Sequence, residues 1–143
     1  MTSSPGTRAW RGAPAGGGNG GTVLLVDDER MLRRELAELL AEEGVAVVGE
    51  ADSGIDGVAL AALLAPDVVL MDLRMPGMGG LEATRRVRAS LPGTRVIILS
   101  AYDDAGLQQS AREAGAIGYL VKGCAVDDIL AALHAAAGAG DGQ

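Results

Sequence analysis

Aromatic residues are scarce in this 143-residue sequence, which has no phenylalanine, one tryptophan and two tyrosines. A hydrophobic core must therefore be aliphatic, built from valine, leucine and isoleucine. The single cysteine, Cys124, excludes an internal disulfide and fits a reducing compartment. No apolar run is long enough to span a membrane, and the N-terminal segment lacks the apolar stretch of a secretory signal. These absences predict a cytoplasmic protein that does not contact membranes.

Basic residues are also few, since 12 lysines and arginines stand against 19 acidic residues and give a net charge of -7. A protein that binds the phosphate backbone of nucleic acids needs a basic patch. We therefore expect no direct nucleic-acid binding by this chain. No P-loop pattern occurs anywhere in the sequence, which argues against a nucleotide-binding role.

Short apolar runs alternate along the chain with segments of helical character. The apolar runs predict strands at residues 22–27, 45–51, 67–72, 95–100 and 116–122. Five helices are predicted between and after them, the fourth at residues 103–114. This alternation predicts an α/β fold with a doubly wound, five-stranded parallel sheet covered by helices on both faces. We assign residues 22–137 to this domain, with a disordered tail at residues 1–21 and a frayed tail at residues 138–143.

Reactive side chains stand where the predicted strands end. The first strand ends in Asp27 and Asp28, the third in Asp72, the fourth in Ser100 and the fifth in Lys122. In a sheet of the common order 2-1-3-4-5, these ends meet near the switch point between strands 1 and 3. Three carboxylates at close range repel one another, and Mg²⁺, which prefers oxygen ligands, relieves that repulsion. A carboxylate beside Mg²⁺ can attack phosphorus, while a lysine and a hydroxyl hold the remaining phosphoryl oxygens.

Four segments resemble the receiver domain of two-component response regulators, and most closely the receivers of LuxR-type regulators. They are Val26–Glu29, Leu70–Gly77, Leu99–Ala101 and Gly118–Lys122, which occur in the order and spacing of that family. The resemblance implies a flavodoxin-like fold and a role in phosphorelay signal transduction. The implied partner is a sensor histidine kinase or a phosphotransfer protein, and a homodimer is a further candidate. If the chain is a fragment of a longer regulator, a DNA-binding output domain would accompany it.

The resemblance also implies which residues carry out the chemistry. Asp72 would be the phosphoacceptor. Mg²⁺ would be held by Asp28, Asp72 and the backbone carbonyl of Arg74, with Asp27 holding a metal-bound water. Lys122 would pair with the phosphoryl oxygens. The chemistry expected of the chain itself is limited to self-phosphotransfer and self-dephosphorylation, so we do not expect a turnover enzyme.

A second group of residues would report the phosphorylated state. The resemblance implies that Ser100 hydrogen-bonds the phosphoryl group and moves when it arrives, and that Tyr119 is an aromatic switch that turns inward in response. The face formed by helix 4, strand 5 and helix 5 would then regulate a partner or an output domain. Arg74 and Tyr102 would flank the approach of water to the phosphoryl group and tune dephosphorylation.

The sequence departs from the family pattern at Gly123, where the family usually has a proline after a cis peptide bond. Because a cis bond before another residue type costs about 2.5–4 kcal/mol, we expect a trans Lys122–Gly123 bond or a mobile loop.

Two alternative functions remain open at this point. One is a receiver-like interaction module that works without phosphorylation. The other is a phosphohydrolase with an aspartate nucleophile. The haloacid-dehalogenase type of phosphohydrolase needs an Asp-x-Asp motif, and Asp72-Leu73-Arg74 lacks the second acid.

Overall fold

A computed structural model describes residues 21–139, in which five strands alternate with five helices along the chain. The strands are β1 (Thr22–Val26), β2 (Ala46–Ala51), β3 (Val68–Asp72), β4 (Arg95–Ser100) and β5 (Gly118–Val121). The helices are α1 (Arg30–Glu42), α2 (Gly54–Leu64), α3 (Gly80–Ser90), α4 (Ala105–Ala114) and α5 (Val126–Ala139). The predicted tails at residues 1–20 and 140–143 lie outside the described residues and stay predictions. No helix among residues 21–139 is long and apolar enough to cross a membrane.

The sheet has the predicted order, β2-β1-β3-β4-β5, and every pair of neighbouring strands is parallel. The fold prediction is therefore confirmed. All five residues of β3 are buried, as expected for a central strand that is covered by helices on both faces. Because parallel strands run the same way, the carboxyl ends of β1, β3, β4 and β5 lie along one edge of the sheet.

Aliphatic side chains fill the interior on both faces of the sheet. Alternate strand residues point to opposite faces, so Leu24 and Val26 of β1 pack towards α2, α3 and α4, and Val23 and Leu25 pack towards α1 and α5. Burying each such side chain contributes about 1.5–3 kcal/mol relative to leaving it exposed. The core therefore consists of closely packed Val, Leu and Ile side chains and needs no phenylalanine.

Local sequence signals explain one end each of α1 and α2. The Ser53 hydroxyl accepts a hydrogen bond from the Asp56 N–H at 3.1 Å and caps α2. Gly44 follows α1 with φ at 86°, a conformation that glycine adopts at low cost.

Several predicted boundaries differ from the observed ones by one or two residues, and the largest differences are at α4 and β5. Helix α4 begins at Ala105 rather than at residue 103, because the Asp104 carboxylate accepts a hydrogen bond from the Gly106 N–H at 2.7 Å and thereby caps the helix from outside. Strand β5 is shorter than predicted and ends at Val121, so Lys122 lies just beyond the strand.

Candidate functional site

Three aspartates meet at the carboxyl edge of the sheet. Asp72 is the last residue of β3, and Asp27 and Asp28 directly follow β1. The pairing of Val26 with Met71 brings these two strand ends side by side. One carboxylate oxygen from each aspartate lies within 4.8 Å of the others. Asp27 and Asp72 are buried and Asp28 is exposed, so the cluster is open to solvent on one side only.

The ammonium of Lys122 closes this cluster from the β5 side. Its Nζ lies 2.9 Å from Asp27 Oδ2 and 3.2 Å from Asp72 Oδ1. It also lies 3.3 Å from Glu29 Oε1, a contact that no local pattern in the sequence predicts. The Lys122 N–H donates to the Ser100 carbonyl at 2.7 Å and ties the loop after β5 to the end of β4. Lys122 is the only lysine in the sequence, and the other basic residues are arginines. This contrast indicates that an ammonium group is specifically needed at position 122.

The loop that carries Lys122 turns at Gly123, which has φ at 95°. Residues with a side chain rarely adopt this conformation, so the turn itself explains a glycine at this position. The Lys122–Gly123 peptide bond is trans, as expected.

Electrostatics make Asp72 an unusual carboxyl group. Burial raises its pKa, and repulsion from Asp27 raises it further; Lys122 offsets only part of the increase and leaves the pKa at about 7. Burial by itself would lower the pKa of Lys122, but its contacts with Asp27 and Asp72 outweigh that effect and raise it above its ordinary value. The site therefore holds excess negative charge that a proton or a further cation can neutralise.

A pH dependence of stability follows from the raised pKa of Asp72. An unfolded aspartate titrates near 3.8, so between that value and about 7 the folded chain binds more protons than the unfolded chain. Stability of the metal-free protein should therefore fall as the pH rises across this interval. Urea unfolding midpoints in EDTA at pH 5 and pH 8 will measure the fall. Asp72→Asn should reduce the pH dependence, and a wild-type slope in that variant would contradict the assignment.

The predicted switch residues converge on Tyr102, in the loop between β4 and α4. The Ser100 hydroxyl, which is buried, accepts a hydrogen bond from the Tyr102 N–H at 3.0 Å. The Tyr119 hydroxyl donates to the Tyr102 carbonyl at 2.5 Å. The Arg74 guanidinium lies over the Tyr102 ring, 4.8 Å from its centre. Among the described residues, the Ser100 side chain thus hydrogen-bonds this loop rather than Asp72 or Lys122.

Close backbone packing holds the loop between β3 and α3 against the site. The Gly80 N–H donates to the Leu73 carbonyl at 2.8 Å. A Cβ at Gly80 would lie 2.1 Å from the Asp72 carbonyl oxygen, and a Cβ at Gly54 of α2 would lie 2.4 Å from the Met78 carbonyl oxygen. Nothing local in the sequence indicates this close approach of Gly80 to Asp72.

Known proteins are similar to this chain over the region that contains the site. The family model described as "Response regulator receiver domain" matches residues 23–134. The response regulator GacA of Pseudomonas aeruginosa is 43% identical over 113 residues, which are 78% of this chain and 53% of GacA. The transcriptional regulatory protein PdtaR of Mycobacterium tuberculosis is 41% identical over 114 residues, which are 80% of this chain and 55% of PdtaR. The chain thus spans about half the length of these curated relatives.

Solved structures show the same similarity. The receiver domain of NarL from Mycobacterium tuberculosis superposes with a TM-score of 0.78 at 37% identity, covering 82% of this chain and 96% of that one. A chain of the CheX–CheY complex with BeF₃ and Mg²⁺ from Borrelia burgdorferi superposes with a TM-score of 0.81 at 25% identity, covering 92% of this chain and 97% of that one.

Proposed function

This chain belongs to the response regulator receiver domain family of two-component systems, and from that premise we propose that Asp72 accepts a phosphoryl group from a sensor histidine kinase or a phosphotransfer protein. One observation carries the assignment to Asp72. Asp72 is the buried last residue of β3. Its carboxylate lies within 4.8 Å of those of Asp27 and Asp28 and 3.2 Å from the Lys122 ammonium. In the transfer, an Asp72 oxygen bonds to phosphorus as the phosphorus–nitrogen bond of the donor breaks, and the bond's electron pair returns to the donor imidazole.

The donor set fits Mg²⁺, because three carboxylates offer hard oxygen ligands and their excess negative charge needs a cation. Asp28, Asp72 and the Arg74 backbone carbonyl would hold the ion, and Asp27 would hold one of its waters. When bound, Mg²⁺ would neutralise charge on the transferring group. Lys122 would then exchange its contact with Asp72 for a phosphoryl oxygen.

Glu29 adds a competitor to this arrangement. Its carboxylate is mostly exposed and lies 3.3 Å from Lys122 Nζ. In the unphosphorylated chain, Lys122 is thereby shared among Asp27, Asp72 and Glu29. We propose that Glu29 binds the Lys122 ammonium in the unphosphorylated chain and loses this contact when the ammonium moves to the phosphoryl oxygens.

The contacts of Tyr102 support a route from the site to the surface. When Ser100 turns its hydroxyl to the phosphoryl group, it gives up the hydrogen bond from the Tyr102 N–H. The loop that holds the Tyr119 hydroxyl is then released, and Tyr119 is free to turn. The face formed by α4, β5 and α5 would change as a result. Ser100→Ala and Tyr119→Phe should each reduce the change in amide exchange of this face upon phosphorylation, and an undiminished change would count against the route.

Arg74 and Tyr102 are proposed to limit the access of water to the phosphorylated Asp72. The Arg74 guanidinium stacks on the Tyr102 ring, 4.8 Å from its centre, and this pair would cover the approach to Asp72. We therefore expect Tyr102→Ala and Arg74→Ala to shorten the lifetime of the phosphorylated state severalfold, because each opens a path for attacking water. The decay of phosphorylated protein after removal of the donor measures this lifetime. Decay rates equal to that of the wild-type chain would contradict the proposal.

The two alternative functions are not favoured by the family match. The chain spans about half the length of its curated relatives. We propose that the reporting face acts on a protein partner, an output domain or a second copy of the chain, in the cytoplasm.

The assignment to Asp72 is tested by mapping the modified residue. The chain is incubated with acetyl phosphate and Mg²⁺ and then reduced with borohydride, which converts an acyl phosphate on aspartate to homoserine. Peptide mass spectrometry should find the conversion at position 72. Conversion at Asp27 or Asp28 instead would refute the assignment.

A further inference from the structure

A largely buried arginine stands behind the acidic cluster. Arg33 lies in the first turn of α1, and only 10% of its side chain is exposed. Its Nε lies 2.9 Å from Glu50 Oε1, and its Nη1 donates to the backbone carbonyl of Asp27 at 2.6 Å. A buried guanidinium is costly unless its donors are paired, so these contacts account for its position.

The carbonyl that Arg33 holds belongs to the peptide unit that joins Asp27 to Asp28. The same turn is held by two more hydrogen bonds: the Asp27 N–H donates to the Ala51 carbonyl at 3.0 Å, and the Glu29 N–H donates to Asp27 Oδ1 at 2.8 Å. The hydrogen bond from Arg33 adds a third restraint, which opposes rotation of the Asp27–Asp28 peptide plane. That plane sets the direction in which the Asp28 side chain leaves the backbone.

Glu50 supplies the negative charge that balances the Arg33 guanidinium. It lies on β2, paired in register with Leu25 of β1, and its second oxygen lies 3.3 Å from Nη1 of Arg34. A guanidinium without a counter-charge at this place would be drawn to the aspartates and would compete with a cation there. Among the described residues, the salt bridge of Arg33 is with Glu50 and with none of the three aspartates. Arg33 can therefore order the acidic turn without neutralising it.

We propose that the Arg33–Glu50 pair is a positioning element for the acidic site, which holds the Asp27–Asp28 peptide so that the Asp28 carboxylate meets a divalent cation without reorganisation. The inference rests on the proposed function in that the cation is Mg²⁺. Groups that orient metal ligands typically change metal affinity about 10–100-fold when they are removed.

The test compares Mg²⁺ binding by Arg33→Met with Mg²⁺ binding by Arg34→Met, using titration calorimetry on the full chain. Arg34 is a matched control: it also pairs with Glu50, but its side chain is 57% exposed and makes no hydrogen bond to the acidic turn. Arg33→Met should weaken Mg²⁺ binding about tenfold or more, and Arg34→Met should leave it nearly unchanged. With acetyl phosphate as donor, Arg33→Met should need more Mg²⁺ for half-maximal labelling and reach a maximal rate close to that of the wild-type chain.

A purely structural role gives a different result. Arg33→Met would then lower the urea unfolding midpoint and bind Mg²⁺ with wild-type affinity, which would overturn the proposal. If Arg33→Met does not fold, Glu50→Gln replaces it in the test. The proposal requires weaker Mg²⁺ binding by Glu50→Gln, because the Arg33 guanidinium then lacks the partner that keeps it away from the aspartates. Unchanged Mg²⁺ binding by this variant would overturn the proposal.

Calorimetry also separates this proposal from the proposed function. A wild-type chain that binds Mg²⁺ but gains no phosphoryl group would refute phosphoryl acceptance, and the comparison of Arg33→Met with Arg34→Met would still decide the role of the pair. A wild-type chain that binds no Mg²⁺ would overturn both.

Discussion

A Lys122→Met variant is expected to gain a phosphoryl group on Asp72 about a hundredfold more slowly than the wild-type chain, although it binds Mg²⁺ more tightly. The two effects have opposite signs because the ammonium has two roles. It competes with a cation for Asp27 and Asp72, from which it lies 2.9 and 3.2 Å away. It also supplies the positive charge that holds the transferring phosphoryl oxygens.

The rate is measured as gain of intact mass at saturating Mg²⁺, and the affinity is measured by calorimetry. Arg112→Met is the matched control, since it removes one positive charge from the exposed side of α4, where Arg112 hydrogen-bonds Gln109. That variant should match the wild-type chain in both measurements. Wild-type labelling by Lys122→Met would show that the ammonium does not assist the transfer.

Gly80→Ala is expected to destabilise the chain by about 1–3 kcal/mol or more and to slow labelling of Asp72. Alanine favours a helix over glycine by about 0.8–1.0 kcal/mol in a helix interior, which on its own would predict stabilisation. The added Cβ, however, would lie 2.1 Å from the Asp72 carbonyl oxygen and 2.9 Å from the Leu73 Cα. These are backbone atoms that cannot rotate away, so either β3 or α3 must shift. The steric effect should therefore exceed the gain in helix propensity.

Gly93→Ala provides the matched control for this substitution. Gly93 lies in the turn between α3 and β4, its φ is not positive, and a Cβ there would meet no atom within 4 Å. This variant should be as stable as the wild-type chain or about 0.4–1 kcal/mol more stable. Urea unfolding in EDTA compares the two variants. Equal stabilities of Gly80→Ala and Gly93→Ala would show that the loop yields to the added methyl group without cost.

The sheet and its reactive edge could be predicted because each central strand is a continuous apolar run that ends in a polar residue. Val68–Asp72 is an example: burial on both faces requires the apolar run, and Asp72 ends that run at the carboxyl edge of the sheet. The βα alternation then leaves few possible topologies. Asp27, Asp28, Asp72 and Lys122 could be placed together from this reasoning alone, and the structure brings them together.

The surroundings of the site could not be predicted in the same way, because they depend on side-chain directions and on contacts between distant residues. Arg33 and Glu50 are 17 positions apart and look like ordinary surface charges in the sequence. Glu29 resembles the start of a helix, and nothing local shows that its carboxylate reaches Lys122, 93 positions away. The start of α4 was misplaced for a related reason: Asp104 suits both the first turn of a helix and the residue before it, and its side-chain hydrogen bond decides between them.

The central claim is that Asp72 is the phosphoacceptor of a working receiver domain, and intact mass after incubation with acetyl phosphate and Mg²⁺ tests it most directly. Asp52→Asn is the matched control, because Asp52 is an exposed aspartate that follows β2 at the same edge of the sheet and lies outside the acidic cluster. The wild-type chain and Asp52→Asn should each gain one phosphoryl group, and Asp72→Asn and a metal-free sample should gain none. Equal labelling of Asp72→Asn, or no labelling of a folded wild-type chain that binds Mg²⁺, would contradict the claim.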